Sequence, residues 1–543
     1  MRTRSYFLGT ADQIFNRMRN TPEPHEVQLR SFGMPSALLQ TAREIGLIDI
    51  LKNNIPEGTR FGVERWKFFL VTILNRPCAA SSKEKTGSWA ASTVLPDLLN
   101  FDPERLNSKS YWYATDDVIS EAQLRKRRED DEKLSQQLFT GLDDAVFCKM
   151  ENELAGKLIE LYGIEPESVI YDTTNFFTYI EAPARSAIAA TGHNKDSRHH
   201  LRQVGLALCA DKQWGIPLFH RIYHGASHDS RTFSQIVSDM IVQIKNSLPA
   251  VSELVLVLDK GNNSKDNFEK MKDRIQWIGS LVSSHHPDLL EIPLAHYKGE
   301  WRETRFLSLQ REVMGVDCKL ILTYNPALAR KQAHTLRAGV EKLKHNIQEA
   351  LLKYKRPPKD IPKGVRSLLA KSRYGKFISV EQIVDRSPVF HEHVDVWTET
   401  QKHFGKNLLF TTKKDADEIW VIEQYRYKVI IEKDFELLKS PDLIWFRPLR
   451  HWTDTKIRAF GYCCVASLVL LRVMLMKCEQ SNLKMSALLL KQELDDLKEV
   501  IMIYDQNNVK RKISSRSSVQ ERLCSLFNLY DLETQLTIHK PLL

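Results

Sequence analysis

The chain reads as a mixed α/β protein: a sheet with helices on both faces, preceded by an all-helical region and interrupted by a long insertion. Three observations lead to that class. Between residues 35 and 160, apolar residues recur at spacings of three and four, the period of a helix. From residue 168 the period changes, and short apolar runs at 168–172, 204–210 and 218–224 are joined by short links, as in an antiparallel meander. Helix-like and strand-like runs then alternate at 227–246, 254–259, 264–274 and 277–282, which makes the sheet mixed.

A length of 543 residues is too great for one core and implies two to four domains. With 42% hydrophobic and 27% charged residues the chain is not a disordered one. Its net charge of +10 is unevenly placed: residues 327–376 hold fourteen basic and three acidic side chains, enough for the whole excess. Such concentration favours a polyanionic partner, nucleic acid foremost. The eight cysteines show neither Cys-x-x-Cys nor Cys/His ligand spacing, so no zinc site or disulfide framework is expected. Residues 1–15 contain no apolar signal core. The apolar run 460–471 is ended by Arg472, short of the roughly 18 residues that span a bilayer. It reads as a buried helix with Cys463 and Cys464 as packing residues, in a cytoplasmic protein with no membrane partner.

In chain order, residues 1–30 form a polar arm broken at Thr21-Pro22-Glu23-Pro24. Residues 31–165 form the helical domain, whose own residues assign it no function. It has one stripe through Leu38, Leu39, Ala42, Ile45 and Leu47, another over 66–74, an aromatic core knot at 110–113 and a solvated charged run at 125–133. Residues 166–284 begin the sheet. Ser168-Val169-Ile170-Tyr171-Asp172 is a strand ending on a carboxylate, 192–196 a loop, 215–217 a turn and 227–246 a helix; the apolar strand 254–259 ends on Asp259. Residues 285–415 are a basic insertion, with strands at 302–309, 319–324 and 407–412 and a basic helix over 327–355 stopped by Pro357-Pro358. His285, His286, His391 and His393 there match no closed metal site and read as loop histidines. Residues 416–480 return to the core with helices over 423–440 and 455–478, and 481–543 form a polar tail with a basic patch at Lys510-Arg511-Lys512.

The chemistry concentrates at 425–439. On one continuous helix, Tyr425, Lys428, Glu432 and Lys439 fall within an arc of roughly 60°. Ile430, Ile431, Leu437 and Leu438 form the opposite, apolar stripe, interrupted by Asp434. One carboxylate among cations and a phenol suits a phosphodiester, with Glu432 on a divalent metal and Lys428 and Lys439 on phosphate oxygens. Asp172 and Asp259 each end a strand, where reactive groups of α/β sheets collect. With Glu432 they make the three-carboxylate set that two hard divalent cations require.

On these residues the chain resembles bacterial insertion-sequence transposases of the DDE type, specifically the "insertion sequence four" superfamily. That family's hallmark runs Tyr, two residues, Arg, three residues, Glu, six residues, Lys. Here it is met by Tyr425, Lys428, Glu432 and Lys439, with Lys in place of Arg. Tyr171-Asp172-Thr173-Thr174 with 192–196 resembles the first catalytic block and 257–264 the second, with Asn262 where relatives often carry an aromatic residue. The resemblance implies an RNase H-like core and two Mg²⁺ ions, Mn²⁺ substituting, held by Asp172, Asp259 and Glu432. One ion would activate water or a 3′-hydroxyl and the other would stabilise the departing 3′-oxygen. It further implies DNA binding by the helical domain 31–165, DNA contacts from Tyr425, Lys428, Lys439 and Lys260, and a base-holding tryptophan in the insertion, Trp301 or else Trp397. Terminal inverted repeats and target duplex would be the partners of a homodimer or larger synaptic assembly at the bacterial nucleoid. The alternatives are a catalytically silent DNA-binding derivative, or a nuclease on the same fold that does not join strands.

Overall fold

The computed structural model describes residues 23–116, 145–164, 168–180, 186–192, 198, 200–227, 236–238, 241–244, 254–272, 274–354, 356–358, 360–446, 451, 453–505 and 508–538, with residue 10. The charged run 125–133, the loop at 193–196 and most of the first half of the 227–246 helix lie outside the described residues. At 236–238 and 241–244 the chain is helical, with Ile236, Val237, Ile241 and Ile244 buried as their spacing requires.

The fold is mixed α/β and divides into two compact units, one of residues 1–166, 171–252 and 429–543, the other of 167–170 and 253–428. In the second unit the strand order runs Gly299–Trp301, Thr304–Val313, Val316–Tyr324, Lys406–Thr411, Gln276–Ser280, Val255–Val257, then the opening residues of Ser168–Thr178. The first four pairings are antiparallel. The last two are parallel, in registers Val255↔Gln276 and Ser168↔Val255. A parallel pair needs a crossover, supplied here by the helix Lys265–Met271, whose cap Ser264 accepts from the Asn267 amide at 3.2 Å. Val255–Val257 is buried throughout, which is why its sequence is apolar without alternation.

Strands on either side of residue 285 thus share one sheet. What stands apart within 285–415 is a small cluster in which Leu336, Val340, Leu343, Ile347 and Leu351 of the helix Pro326–Leu352 pack on Val365, Phe377, Ile378 and Val380. These residues recur every three or four positions, so the helix is amphipathic and its basic side chains line the other faces.

The first unit is organised around the helix Asp454–Gln480, buried on nearly every side. By length and composition it passes as a membrane span, with mean hydropathy 2.0, but 83% of that window is buried inside the protein. It matches the expected span 455–478 and runs on past Arg472, where the apolar run stops, because Arg472 meets a carboxylate. Its Nε lies 2.5 Å from Oδ1 of Asp434, which is fully buried. Asp434 therefore does not interrupt the apolar stripe of the helix Lys428–Lys439: it faces inward with Ile431, Phe435 and Leu438. The predicted turn at 215–217 closes the site. Gly215 has φ +69°, and a Cβ there would lie 2.3 Å from Ile430 and 3.3 Å from Asp434 Oδ2, so only glycine fits.

The same core takes in both ends of the chain. Phe32, Leu38, Leu51, Phe69 and Leu158 cluster with Leu470, Leu490, Leu523 and Leu532, so the stretch read as a tail carries core helices. The arm read as loose ends in a strand, Glu26–Ser31, paired antiparallel with Lys498–Asp505. Arg511, read as part of a basic patch, turns inward: it lies 2.9 Å from Asp97 and 3.3 Å from Glu499, while Arg30 lies 2.7 and 2.6 Å from the same two carboxylates. Alternating charges at such separations offset the desolvation of each partner.

Burial pushes the Asp434 carboxyl up to about 7; Arg472 opposes this and Asp211 adds to it. The folded chain therefore holds a proton that the unfolded chain loses near pH 4. This group's contribution favours folding at low pH and is lost as pH rises toward 7. Asp434→Asn should flatten that part of the pH dependence of unfolding free energy. Asp434→Leu, which strands Arg472, should cost about 3–5 kcal/mol in denaturant unfolding, and adding Arg472→Met should recover most of it.

Candidate functional site

In the second unit, Asp259 lies just beyond the strand Val255–Val257 and opens a short 3₁₀ turn. Its Oδ1 accepts from its neighbour's amide, Lys260 N, at 2.7 Å and receives the Lys428 ammonium at 2.9 Å. Oδ2 is unengaged among the described residues. Burial alone would raise this carboxyl, but the Lys428 hydrogen bond and charge, with Lys260 behind them, hold it below the ordinary carboxylate range. Asp259 is thus an ionised, half-buried carboxylate with one oxygen to offer.

Lys428 does not sit on one long helix with Tyr425. The chain forms two helices, Glu418–Arg426 and Lys428–Lys439, meeting at Tyr427, which keeps a right-handed backbone (φ −62°, ψ −16°). Tyr425 therefore belongs to the first helix, while Lys428, Glu432 and Lys439 belong to the second. Tyr425 lines a cavity of about 390 Å³ with Lys331, Asn325, Asn407 and Arg426.

Arg426 was not singled out by sequence. Its guanidinium lies 4.5 Å from the Trp301 ring centre, and Arg302 lies 4.4 Å from the same ring. Arg426 also donates to Thr304 Oγ1 at 2.9 Å. Trp301 and Thr304 face each other across a tight hairpin turn in which Arg302 takes a left-handed φ of 54°, uncommon for a residue with a side chain. Two cations share one aromatic ring. The Arg426 guanidinium is pushed down, first by burial and then by the Arg302 charge. An anion placed here would relieve that repulsion. The alternative tryptophan, Trp397, packs 5.1 Å from Phe377 against the small core of the insertion and is a structural aromatic.

In the first unit, Asp172 does not end its strand. It is the fifth residue of Ser168–Thr178, half-buried between Tyr171 and Thr173, and its Oδ1 accepts from the Thr173 amide at 2.8 Å. The β-branched and aromatic residues that follow, Thr173, Thr174, Phe176 and Phe177, keep the chain extended. Lys439 reaches this strand, its Nζ 5.8 Å from the Phe176 ring. Glu432 is exposed on its helix. Among the described residues no group of three or more His, Cys, Asp or Glu side chains is arranged to hold a metal ion.

No family model and no curated protein matches the chain. Among solved structures, the cryo-EM structure of a piggyBac transposase synaptic complex with hairpin DNA is similar at a TM-score of 0.38 and 10% identity. The alignment covers 85% of this chain and 76% of that one.

Lys428→Gln should let burial raise the Asp259 carboxyl; a carboxyl ¹³C titration that leaves Asp259 in place would dismiss Lys428 as its partner. Were the cavity lined by Tyr425 and Arg426 to hold a DNA phosphate, Arg426→Gln would lower the slope of log K against log salt for duplex DNA by about 0.9, the contribution of one phosphate contact. An unchanged slope would assign Arg426 to holding Trp301 alone.

Proposed function

We propose that the chain is a DNA transposase with an RNase H-like core, cutting and joining the ends of a mobile element by metal-dependent phosphoryl transfer. The observation that carries the reading is the Lys428–Asp259 pair. Two signature residues, separated in sequence by the whole 285–415 block, meet beside the parallel strands of a mixed sheet at 2.9 Å. Carboxylate oxygens are the donors a hard divalent cation takes, and Asp259 offers one in its ionised form.

In this reading Asp172, Asp259 and Glu432 hold two Mg²⁺ ions, with Mn²⁺ as a substitute. When bound, such ions stabilise negative charge on the attacking and departing oxygens. The chain's own side chains bind and align the strand. Lys428 and Lys260 place positive charge beside Asp259, and Lys439 does so beside the strand of Asp172. Tyr425 and Arg426 face the 390 Å³ cavity, where a phosphate or a displaced base would sit near Trp301. The basic face of 327–376 holds flanking duplex. The proposed setting is a bacterial nucleoid, with paired element ends held by a homodimer or larger assembly.

The test uses the full chain and the DNA that borders its own coding sequence. Glu432→Gln should bind that DNA within about twofold of the parent, because binding rests on Lys and Arg. Its nicking in Mg²⁺ should fall on the order of 10³-fold or more. Asp172→Asn and Asp259→Asn should behave alike, and double variants should add little. Near-parental nicking by a folded Glu432→Gln protein would remove Glu432 from the site. Nicking without joining would favour the nuclease, and a parent that binds but never nicks would favour the silent derivative. Calorimetry with Mn²⁺ should give tight binding only when DNA is present.

A further inference from the structure

A second positively charged site lies within the first unit, and none of the residues proposed to hold metal or DNA lines it. The helix Arg65–Ala79, the segment that follows it, the helix Ser108–Asp116 and the start of Asp454–Gln480 enclose a cavity of about 610 Å³. That volume is within the range of about 300–1,000 Å³ typical of small-molecule sites. Among the described residues Arg76, Lys83, Lys85 and Lys456 line it, with one carboxylate, Glu84.

Several of these cations rest on aromatic faces. Lys456 Nζ is 3.8 Å and Lys83 Nζ 5.2 Å from the Trp112 ring centre, and the Arg76 guanidinium is 5.3 Å from that of Phe460. A π face attracts a cation without consuming its hydrogen-bond donors. Arg76 is buried, bonds Asn75 Oδ1 and the Ser81 carbonyl, and keeps an Nε with no partner among the described residues. The His451 ring stacks on Phe460 at 4.5 Å, and its Nδ1 likewise has no partner there. Burial, then Lys83, Arg76 and Lys456, push this imidazole down to about 3, and burial with Lys456 also lowers the Lys83 ammonium. Arg76 and Lys83 therefore give the cavity a positive field, and the unmet buried Nε–H of Arg76 favours an anionic occupant. Phosphate alone is far smaller than the space, and the flat rings of Trp112 and Phe460 suit a planar body.

We propose that this cavity binds a nucleoside phosphate, its phosphate met by Arg76 and Lys83 and its base lying among the aromatic side chains. The same chemistry is offered by a free nucleotide and by the phosphorylated 5′ end of a DNA strand. The claim does not rest on the transposase reading.

Calorimetry on the full chain with adenosine 5′-monophosphate should show micromolar binding. Adenosine and inorganic phosphate should each bind at least tenfold more weakly. Lys83→Gln and Trp112→Leu should each weaken binding at least tenfold, and Arg76→Gln more, with thermal unfolding confirming that each variant is folded. Lys83 lies at the cavity's less buried side, so that variant serves if the buried ones fail to fold. A 5′-phosphorylated single strand that binds and is displaced by the nucleotide identifies the strand end as occupant. A strand that does not bind while the nucleotide does identifies the free nucleotide. No binding of either probe at millimolar concentration overturns the proposal, as does nucleotide binding unchanged in both Lys83→Gln and Trp112→Leu. Phosphate binding as tightly as the nucleotide would overturn the base subsite.

Discussion

The orientation of the helix Lys428–Lys439 is set by one buried ion pair. Asp434 has no exposed surface and cannot turn outward without leaving Arg472 of the central helix uncompensated, while turning inward costs desolvation that only Arg472 offsets. Gly215 lets the neighbouring turn close over the pair. At about 100° per residue, an inward Asp434 leaves Glu432 roughly 200° away, facing solvent. The exposure of the proposed metal-binding carboxylate is thus a consequence of a structural carboxylate two positions later. Charge is kept inside the first unit to fix which charge stays outside.

Much of the fold could be read from periodicity. The runs at 204–210 and 218–224 fall in the strands Arg202–Asp211 and Pro217–His224, and the basic helix over 327–355 is Pro326–Leu352, because each carries the period of its class over its own length. What could not be read depends on partners distant in sequence. Asp434 looked like a flaw in an apolar stripe and Arg472 like the end of an apolar run; each accounts for the other only once the two helices meet. Glu26–Ser31 alternates weakly and is held by a strand at the opposite end of the chain. Arg511 sits between two lysines in sequence, and nothing local indicates that Asp97 and Glu499 draw it inward.

The candidate site divides in the same way. The spacing within 425–439 singled out Lys428 and the end of an apolar strand singled out Asp259; that the two lie 2.9 Å apart could be read from neither. The spacing did not name Arg426 or Arg302, and it placed Tyr425 on the wrong helix. No spacing rule connects a hairpin turn to a helix end. The available signal was compositional: Trp301-Arg302 and Tyr425-Arg426-Tyr427 each set a guanidinium beside aromatic rings, the pairing from which the cation–aromatic stack is built. Asp172 was read at the end of its strand but lies within it, because the threonines and phenylalanines after it extend the strand beyond the carboxylate.

The cations of this protein follow two physical regimes, and the distinction bears on which of them can act on a ligand. Arg30, Arg472 and Arg511 meet carboxylates at 2.5–3.3 Å in nearly dry surroundings. Their charge is neutralised by the facing carboxylates, so they hold strands and helices together and have little left to offer an anion. Arg76, Lys83, Arg302 and Arg426 lie instead against Phe460, Trp112 and Trp301. An aromatic face steadies a cation by its quadrupole while leaving the net charge in place. A protein that must keep positive charge ready for phosphate gains from this substitution, because a carboxylate in the same place would compete with the ligand for every contact. Lys428 stands between the regimes. Its carboxylate partner, Asp259, is half-exposed and has a second oxygen unengaged among the described residues, so this pair can open toward a ligand or metal at far lower cost than the buried ones.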